Sequence, residues 1–397
     1  MGSMTSTAPL LLALLIIFTL PWLAWRAMGG DRVAPLVVVQ IMAGILLGPA
    51  LIGSLVPGAY EAVFSPRTLD QLYGLAAWAV MLFVFVAGIE VDIAHAWRER
   101  RDAFTTSGLA LAAPLALGSL AALLLLADDR WIGPEGAPWQ FVAGIGMACA
   151  VTALPILVLF LERLDILRTA LGQRVLRYAS LDDIAVWGVL ALILLDTARL
   201  GKQALFLAIF ALAAVAVRRL FARLEPRDLW ALSLGWLLLV AAGADWAGLH
   251  FMVGAFLAGA VLDAHWFGLE KLDNFRDRVL LLLMPVFFLS TGLRTRWDMG
   301  GIEVFAAALL LLLAAVAGKL LGVKLAATIL GWPRGQARLV GWLLQTKALI
   351  MIIFANILLD EGVISATSFT ALVLMAVFST LLTMPMTRRL AKQTPSG

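Results

Sequence analysis

Segments of about 20 predominantly apolar residues recur from one end of this chain to the other. Each is long enough to cross a bilayer as a helix, so the pattern reads as an all-α polytopic membrane protein. The bulk composition agrees, with 62% hydrophobic and only 14% charged residues among 397, and a mean hydropathy of +0.96. A pI near 9.5 would point to nucleic acid in a water-soluble chain. Here it reflects arginine-rich loops, and no nucleic-acid partner is expected. The single cysteine, Cys149, excludes an internal disulfide. The first apolar segment has no basic stretch before it and no convincing cleavage site, so it reads as a span.

The apolar pattern reads as about thirteen spans. They cover roughly 7–28, 33–54, 69–91, 103–127, 139–161, 171–195, 202–221, 228–245, 247–264, 278–293, 302–330, 337–359 and 366–387. An odd number puts the termini on opposite sides. With the N-terminus outside, the outer segments hold only Arg67, Arg130, Arg199, Lys202, Arg294 and Arg296. Lys319, Lys324 and Lys347 fall within spans, and every other Lys and Arg is cytoplasmic. That asymmetry is the positive-inside bias of a plasma (inner) membrane protein with a cytoplasmic C-terminus. Trp22, Trp131, Trp139, Trp246 and Trp297 lie near span ends, as interfacial anchors.

Two spans carry features that no lipid-facing helix keeps. The fifth reads Thr152-Ala153-Leu154-Pro155 at its middle, where a proline removes a backbone hydrogen bond, and Thr152, Ala153 and their neighbours are expected to leave the helix. The twelfth carries Gln345-Thr346-Lys347-Ala348 at its centre. With 202–221 as a connecting helix, these are the fifth spans of two six-helix halves of opposite topology. Interrupted helices at matching positions of inverted halves point to a transporter site at the midplane. For either helix alone, a tolerated kink or a packing contact explains the same residues; the matched pair disfavours that explanation.

Asp182 and Asp183 sit side by side near the middle of the sixth span. Each intramembrane carboxylate costs a few kcal/mol, so a partner or a use must offset it. Adjacent helical residues point about 100° apart, which gives the two carboxylates different neighbours. Lys319 is a partner for one, and Lys347 offers a second counter-charge. A static ion pair would account for one carboxylate and leave the other without a structural need. Lys324, nearer the cytoplasmic end, reads as a snorkelling residue. Glu90 and Asp92 end the third span; a solvated helix end is their default, with ion access or pH sensing as the functional reading. No metal-ligand spacing appears. The Gly44…Gly48 and Gly318…Gly322 pairs fit close helix packing.

These pieces together resemble the monovalent cation:proton antiporters of the sodium/hydrogen exchanger fold, in their Kef-like branch. The likeness runs from about Pro35 to Met386. It is carried by Gln40-Ile-Met-Ala-Gly-Ile-Leu-Leu-Gly-Pro49, by Leu82-Phe-Val-Phe-Val-Ala-Gly-Ile-Glu-Val-Asp92, and by Thr152 through Pro155. Leu167-Arg-Thr169, Leu181-Asp-Asp183, Gly254 through Gly259, and Pro285 through Arg294 continue it in order. The resemblance implies that Asp183 binds cation and proton in turn. It implies that Asp182 pairs with Lys319, and that Thr152, Ala153, Pro155, Gln345, Thr346 and Lys347 line the site. It implies a scaffold and dimerisation domain of 7–92 and 228–293, a core of 103–195 and 302–387, and a short cytoplasmic tail of 388–397. Relatives with the paired Asp and this lysine are usually electrogenic and often select sodium. One departure stands out. The Kef-like pattern commonly reads Asn-Thr-Arg-Gly with a Glu four residues after the Arg; here it reads Gln345-Thr346-Lys347-Ala348, with Met351 at the Glu position. Lys347 is therefore expected to be freer to interact with Asp182 or Asp183, or to be neutral for part of the cycle.

The expectation is a homodimeric antiporter, surrounded by membrane lipid, that exchanges Na⁺ (or Li⁺ or K⁺) for protons by alternating access. It needs no cofactor and is no enzyme; the ions are its substrates. The rival readings are a partner-gated potassium efflux system and a transport-dead sensor, and a separate soluble regulatory subunit is left open. An intramembrane aspartyl protease is disfavoured, because its two carboxylates must face each other from different helices.

Overall fold

The computed structural model describes residues 7–30, 34–49, 51–90, 100–195, 199–295, 301–333 and 335–391. Among them every regular element is a helix, apart from one isolated bridge between Ile132 and Ile364. Among the described residues eight helices are long and apolar enough to cross a membrane, or nine if one bent pair counts as a single span. The spans expected at 103–127, 202–221 and 302–330 appear as Arg100–Leu125, Leu200–Phe221 and Gly301–Leu330. Others are shorter or divided. The segment expected at 247–264 has the ten-residue helix Phe251–Ala260. The one expected at 278–293 is shared between Leu269–Leu282 and Met284–Leu293. The segments expected at 139–161 and 337–359 are each two helices, Pro138–Ala150 with Leu154–Arg163 and Gln336–Leu343 with Ala348–Asp360. Apolar length alone registers hydrophobicity; it does not register where the backbone stops being helical.

The chain packs as two compact units. One holds Pro66–Ile89, Leu200–Phe221, Pro226–Trp246, Phe251–Ala260 and Leu269–Leu282. Pro66–Ile89 opens with Ser65 as its N-cap, accepting from the Thr68 backbone N–H at 3.3 Å, and with proline in its first turn. Leu212, on Leu200–Phe221, is 76% exposed. A stripe of such residues is a liability in water and ordinary against lipid tails.

The second unit holds Leu36–Leu47, Arg100–Leu125, both divided helices, Gly301–Leu330, Ala366–Ala391 and the carboxylate helix Ala170–Ile193 as far as Val186. Its centre is the lysine helix Gly301–Leu330 lying on Arg100–Leu125. Glycine makes this approach feasible. A Cβ on Gly322 would fall on the Leu109 carbonyl, with Ala110 Cα only 3.1 Å away, and one on Gly318 would meet Pro114. Because the two glycines flank Lys319, this contact also sets how deep that lysine sits. Gly322→Val is expected to cost about 1–3 kcal/mol by overpacking, read as a lower unfolding temperature in detergent. Gly188→Ala, where a Cβ meets nothing within 4 Å, is the control and should be neutral or slightly stabilising.

Trp22, Trp139 and Trp246 are about half exposed near helix ends, as anchors should be. Trp131 is not an anchor: it is 5% exposed, and its carbonyl accepts from the Ser365 N–H and the Ser368 hydroxyl. It belongs to a knot of loops in which Gly133 N–H donates to Val363 O and Glu135 N–H to Gly362 O, both at 3.0 Å. Trp297 and Asp92 lie outside the described residues.

Candidate ion site at the crossing of two broken helices

Pro138–Ala150 ends in the middle of the second unit, and residues 151–153 are not helical. A helix that stops leaves its last carbonyls without donors, and no water is at hand to supply them in a membrane. Two lysines do so. Lys347 Nζ donates to Cys149 O at 2.7 Å and Val151 O at 2.9 Å, while Lys319 Nζ donates to Ala150 O at 2.7 Å. Cations are also favoured at this end of a helix by its dipole. Lys347 is thus held by backbone carbonyls, and the expectation that it is freer to interact with Asp182 or Asp183 is corrected. The orphaned acceptors of a broken helix are fixed in place and compete for the nearest ammonium.

The second interruption covers residues 344–347, and its helices are bent by 46°. The two unwound stretches cross and bond to each other. Ala153 N–H donates to Thr346 O at 2.7 Å, and Thr346 Oγ1 donates to either Ala153 O at 3.4 Å or Leu343 O at 3.2 Å. Gln345 is fixed from the other side by Ser379, which receives its Nε2 at 3.2 Å and donates to its carbonyl at 2.9 Å. The Ala348 N–H reaches Thr380 Oγ1 at 3.3 Å. Pro155 is not within the unwound stretch. It sits in the first turn of Leu154–Arg163, where its missing N–H costs nothing.

The carboxylates lie against this crossing. Lys319 Nζ reaches Asp182 Oδ2 at 3.2 Å and Thr152 Oγ1 at 3.0 Å, with both charged side chains fully buried. The Thr152 hydroxyl has one hydrogen, so it donates either to Asp182 Oδ2 at 2.7 Å or to Leu344 O at 2.9 Å while accepting from the lysine. Lys319 therefore spends its three hydrogens on three partners. Asp182 Oδ1 is buried and has no hydrogen-bond partner among the described residues. An acceptor in that position suits a proton or a dehydrated cation. Asp183 is 5% exposed on the next position of the same helix. Among the described residues no cluster of His, Cys, Asp and Glu fits a resident metal ion.

Some participants were not read from the sequence. Ser379 and Thr380 brace the second interruption, and their signal was a hydroxyl pair in the middle of an apolar span. Tyr178, one helical turn before Asp182, donates its hydroxyl to the Asp102 carboxylate and stacks 6.1 Å from Trp332. Arg294 joins Asn356 at 2.8 Å and also Asp360. None of these follows a spacing rule, because each pair joins residues distant in the chain.

Glu90 lies in the first unit, at the C-terminal end of Pro66–Ile89. Arg276 donates to its carboxylate at 2.6 Å and also faces Asp273 at 2.9 Å and Asp277 at 3.6 Å. Burial pushes the Glu90 carboxyl above the usual range, against the opposing pull of Arg276. It therefore takes up a proton at a higher pH than an ordinary carboxylate. A raised value favours the folded state below the ordinary carboxylate range, and that contribution is lost as pH rises through the raised value. On the acid side, protonation uncouples Glu90 from Arg276. Glu90→Gln, which mimics the protonated form at every pH, should shift the pH profile of transport measured in proteoliposomes. An unchanged profile would remove Glu90 from pH sensing.

The profile of the family described as sodium/hydrogen exchanger, transmembrane, matches residues 13–393. The chain is 30% identical over 372 residues to the Na(+)/H(+) antiporter NhaS4 of Synechocystis, spanning 89% of this chain and 90% of that protein. It is 30% identical over 373 residues to cation/H(+) antiporter 17 of Arabidopsis thaliana, but there 89% of this chain spans only 45% of the relative. Among solved structures its fold is similar to that of the sodium proton antiporter MjNhaP1 from Methanocaldococcus jannaschii. That likeness has a TM-score of 0.64 at 14% identity and covers 97% of this chain and 99% of that one.

Proposed function

Because the chain belongs to the sodium/hydrogen exchanger family and is a cation:proton antiporter, we propose that it exchanges Na⁺ for protons at Asp183 and Asp182. The observation that carries this reading is the buried Asp182–Lys319–Thr152 cluster at the crossing of two interrupted helices. Coupling follows from competition. One carboxylate site holds a cation or a proton but not both, so neither crosses without the other returning. Asp183 takes the cation on one side and exchanges it for a proton on the other. A cation on Asp182 Oδ1 draws on the same carboxylate that holds Lys319 through Oδ2, weakens that pair and frees the lysine to release a proton. Two protons against one cation make the exchange electrogenic, so its rate responds to voltage by about 2.3 kcal/mol per charge per 100 mV.

In this reading residues 103–195 and 302–387 form the core that carries the site, and residues 7–92 and 228–293 form the scaffold of a homodimer. Access to the site alternates between the two faces of the membrane. The protein lies in the plasma membrane with its N-terminus outside, a placement supported by the distribution of Lys and Arg. Its relatives are antiporters, not enzymes.

The test is proton efflux from proteoliposomes with an imposed pH gradient, adding Na⁺, Li⁺ and K⁺ in turn, with the membrane potential free and then clamped. A response to Na⁺ that changes with the clamp agrees with the proposal. A response to K⁺ alone reassigns the cation, and no response to any cation overturns the reading.

A further inference from the structure

The end of the lysine helix Gly301–Leu330 and the start of Gln336–Leu343 enclose a groove of ≈ 340 Å³, lined by Leu320, Leu321, Lys324, Ala337 and Arg338. It combines an apolar floor with two cations at the rim and no carboxylate among its lining residues. Neither Lys324 nor Arg338 has an ion-pair partner among the described residues. The floor continues along the outward face of the lysine helix, where Leu321, Leu325 and Ile329 are exposed. Lys324 lies six residues before the helix end at Leu330, about 9 Å along the axis. That is the depth at which a lysine reaches a phosphate layer while its stem stays among acyl chains. The first turn of Gln336–Leu343 adds the positive end of a helix dipole beside Arg338.

We propose that this groove is a binding site for one anionic phospholipid, with its headgroup phosphate between Lys324 and Arg338 and an acyl chain along Leu320, Leu321 and Leu325. A soluble phosphate would use the two cations and leave the apolar floor bare; a neutral lipid would use the floor and leave the cations unpaired. Only an anionic lipid answers both. The basic residues mark this end of the helix as cytoplasmic, which is the anionic leaflet. The occupant would also act on the ion site. It joins the helix that carries Lys319 to the helix that leads into Gln345-Thr346-Lys347, so it ties together two elements that meet at the crossing. Lys324, which the sequence alone assigns to simple snorkelling, then has a specific counter-ion.

The experiment is native mass spectrometry of the delipidated full chain titrated with phosphatidylglycerol or phosphatidylethanolamine, with unfolding temperature read in parallel. The comparison variants are the pair Lys324→Gln/Arg338→Gln and the single Leu321→Trp, which blocks the floor and keeps both charges. Wild type should retain phosphatidylglycerol preferentially, and the charge variant should bind it roughly tenfold more weakly or worse. Leu321→Trp should also lose it while remaining folded. Equal retention by wild type and both variants would overturn the proposal. So would stabilisation by soluble glycerol phosphate equal to that by the lipid, because the site would then be one for free phosphate. The binding readout is independent of transport, so it stands or falls apart from the exchange reaction proposed above.

Discussion

Asp183→Asn is expected to yield a folded protein whose proteoliposomes no longer dissipate a pH gradient when Na⁺ is added, a loss of about 100-fold or more in rate. The amide is close in size, so packing around residue 183, which is 5% exposed, should persist. What disappears is the one property the exchange requires, a group that is negative for the cation and neutral after protonation. Asp183→Glu keeps that property with a longer reach and should retain part of the flux with a shifted cation affinity. Asp182→Asn is the informative comparison. If it abolishes transport and Asp183→Asn does not, the roles of the two carboxylates are exchanged. If both single variants transport normally, the site lies elsewhere and the proposed function fails with it.

The second large effect is on stability. Lys319→Met should destabilise the protein by about 3–5 kcal/mol, because it leaves the Asp182 carboxylate buried without its counter-charge. It also strips Ala150 O of its donor and leaves Thr152 Oγ1 without the hydrogen it accepts. Adding Asp182→Asn removes the uncompensated charge, so the double variant should recover much of the lost unfolding temperature. Recovery in the double variant, measured as a double-mutant cycle, would isolate the pair. A double variant as unstable as Lys319→Met alone would mean that capping the broken helix, not pairing with Asp182, is the larger contribution of this lysine.

Those two experiments concern residues that were legible before any coordinates. A carboxylate in the middle of an apolar segment is expensive wherever the segment packs, so Asp182 and Asp183 declare themselves from composition along one span. The same holds for the interruption at Gln345-Thr346-Lys347, because a polar patch at mid-depth has no place against lipid. The pairing of Lys319 with Asp182 followed only from the family resemblance, since nothing in the spacing of residues 137 positions apart brings them together.

Other features were legible only as regions. In the segment expected at 139–161 the opening at Thr152 and Ala153 was legible, but the role of the proline beside it was not. Residues 151–153 unwind, and Pro155 starts the next helix. A proline is as well suited to beginning a helix as to ending one, and only the neighbouring chain decides between them. Trp131 looked like an interfacial anchor because its position near a span end was all that sequence shows, yet it is buried, and its carbonyl is bound by Ser365 and Ser368.

A helical membrane protein, the asymmetry of its basic loops, the span that carries two carboxylates and the two spans that break are all legible in the order of residues. Each of these follows from a local cost: apolar length, unshielded charge or a lost backbone hydrogen bond. Tertiary structure alone decided which lysine meets which acceptor. Lysine has a long, flexible stem and three donors, so its partner is whichever acceptor the fold leaves bare within reach. At this crossing the acceptors within reach are the carbonyls of residues 149–151, the Thr152 hydroxyl and one oxygen of Asp182. That is why Lys319 is shared between them and Lys347 is held by carbonyls alone.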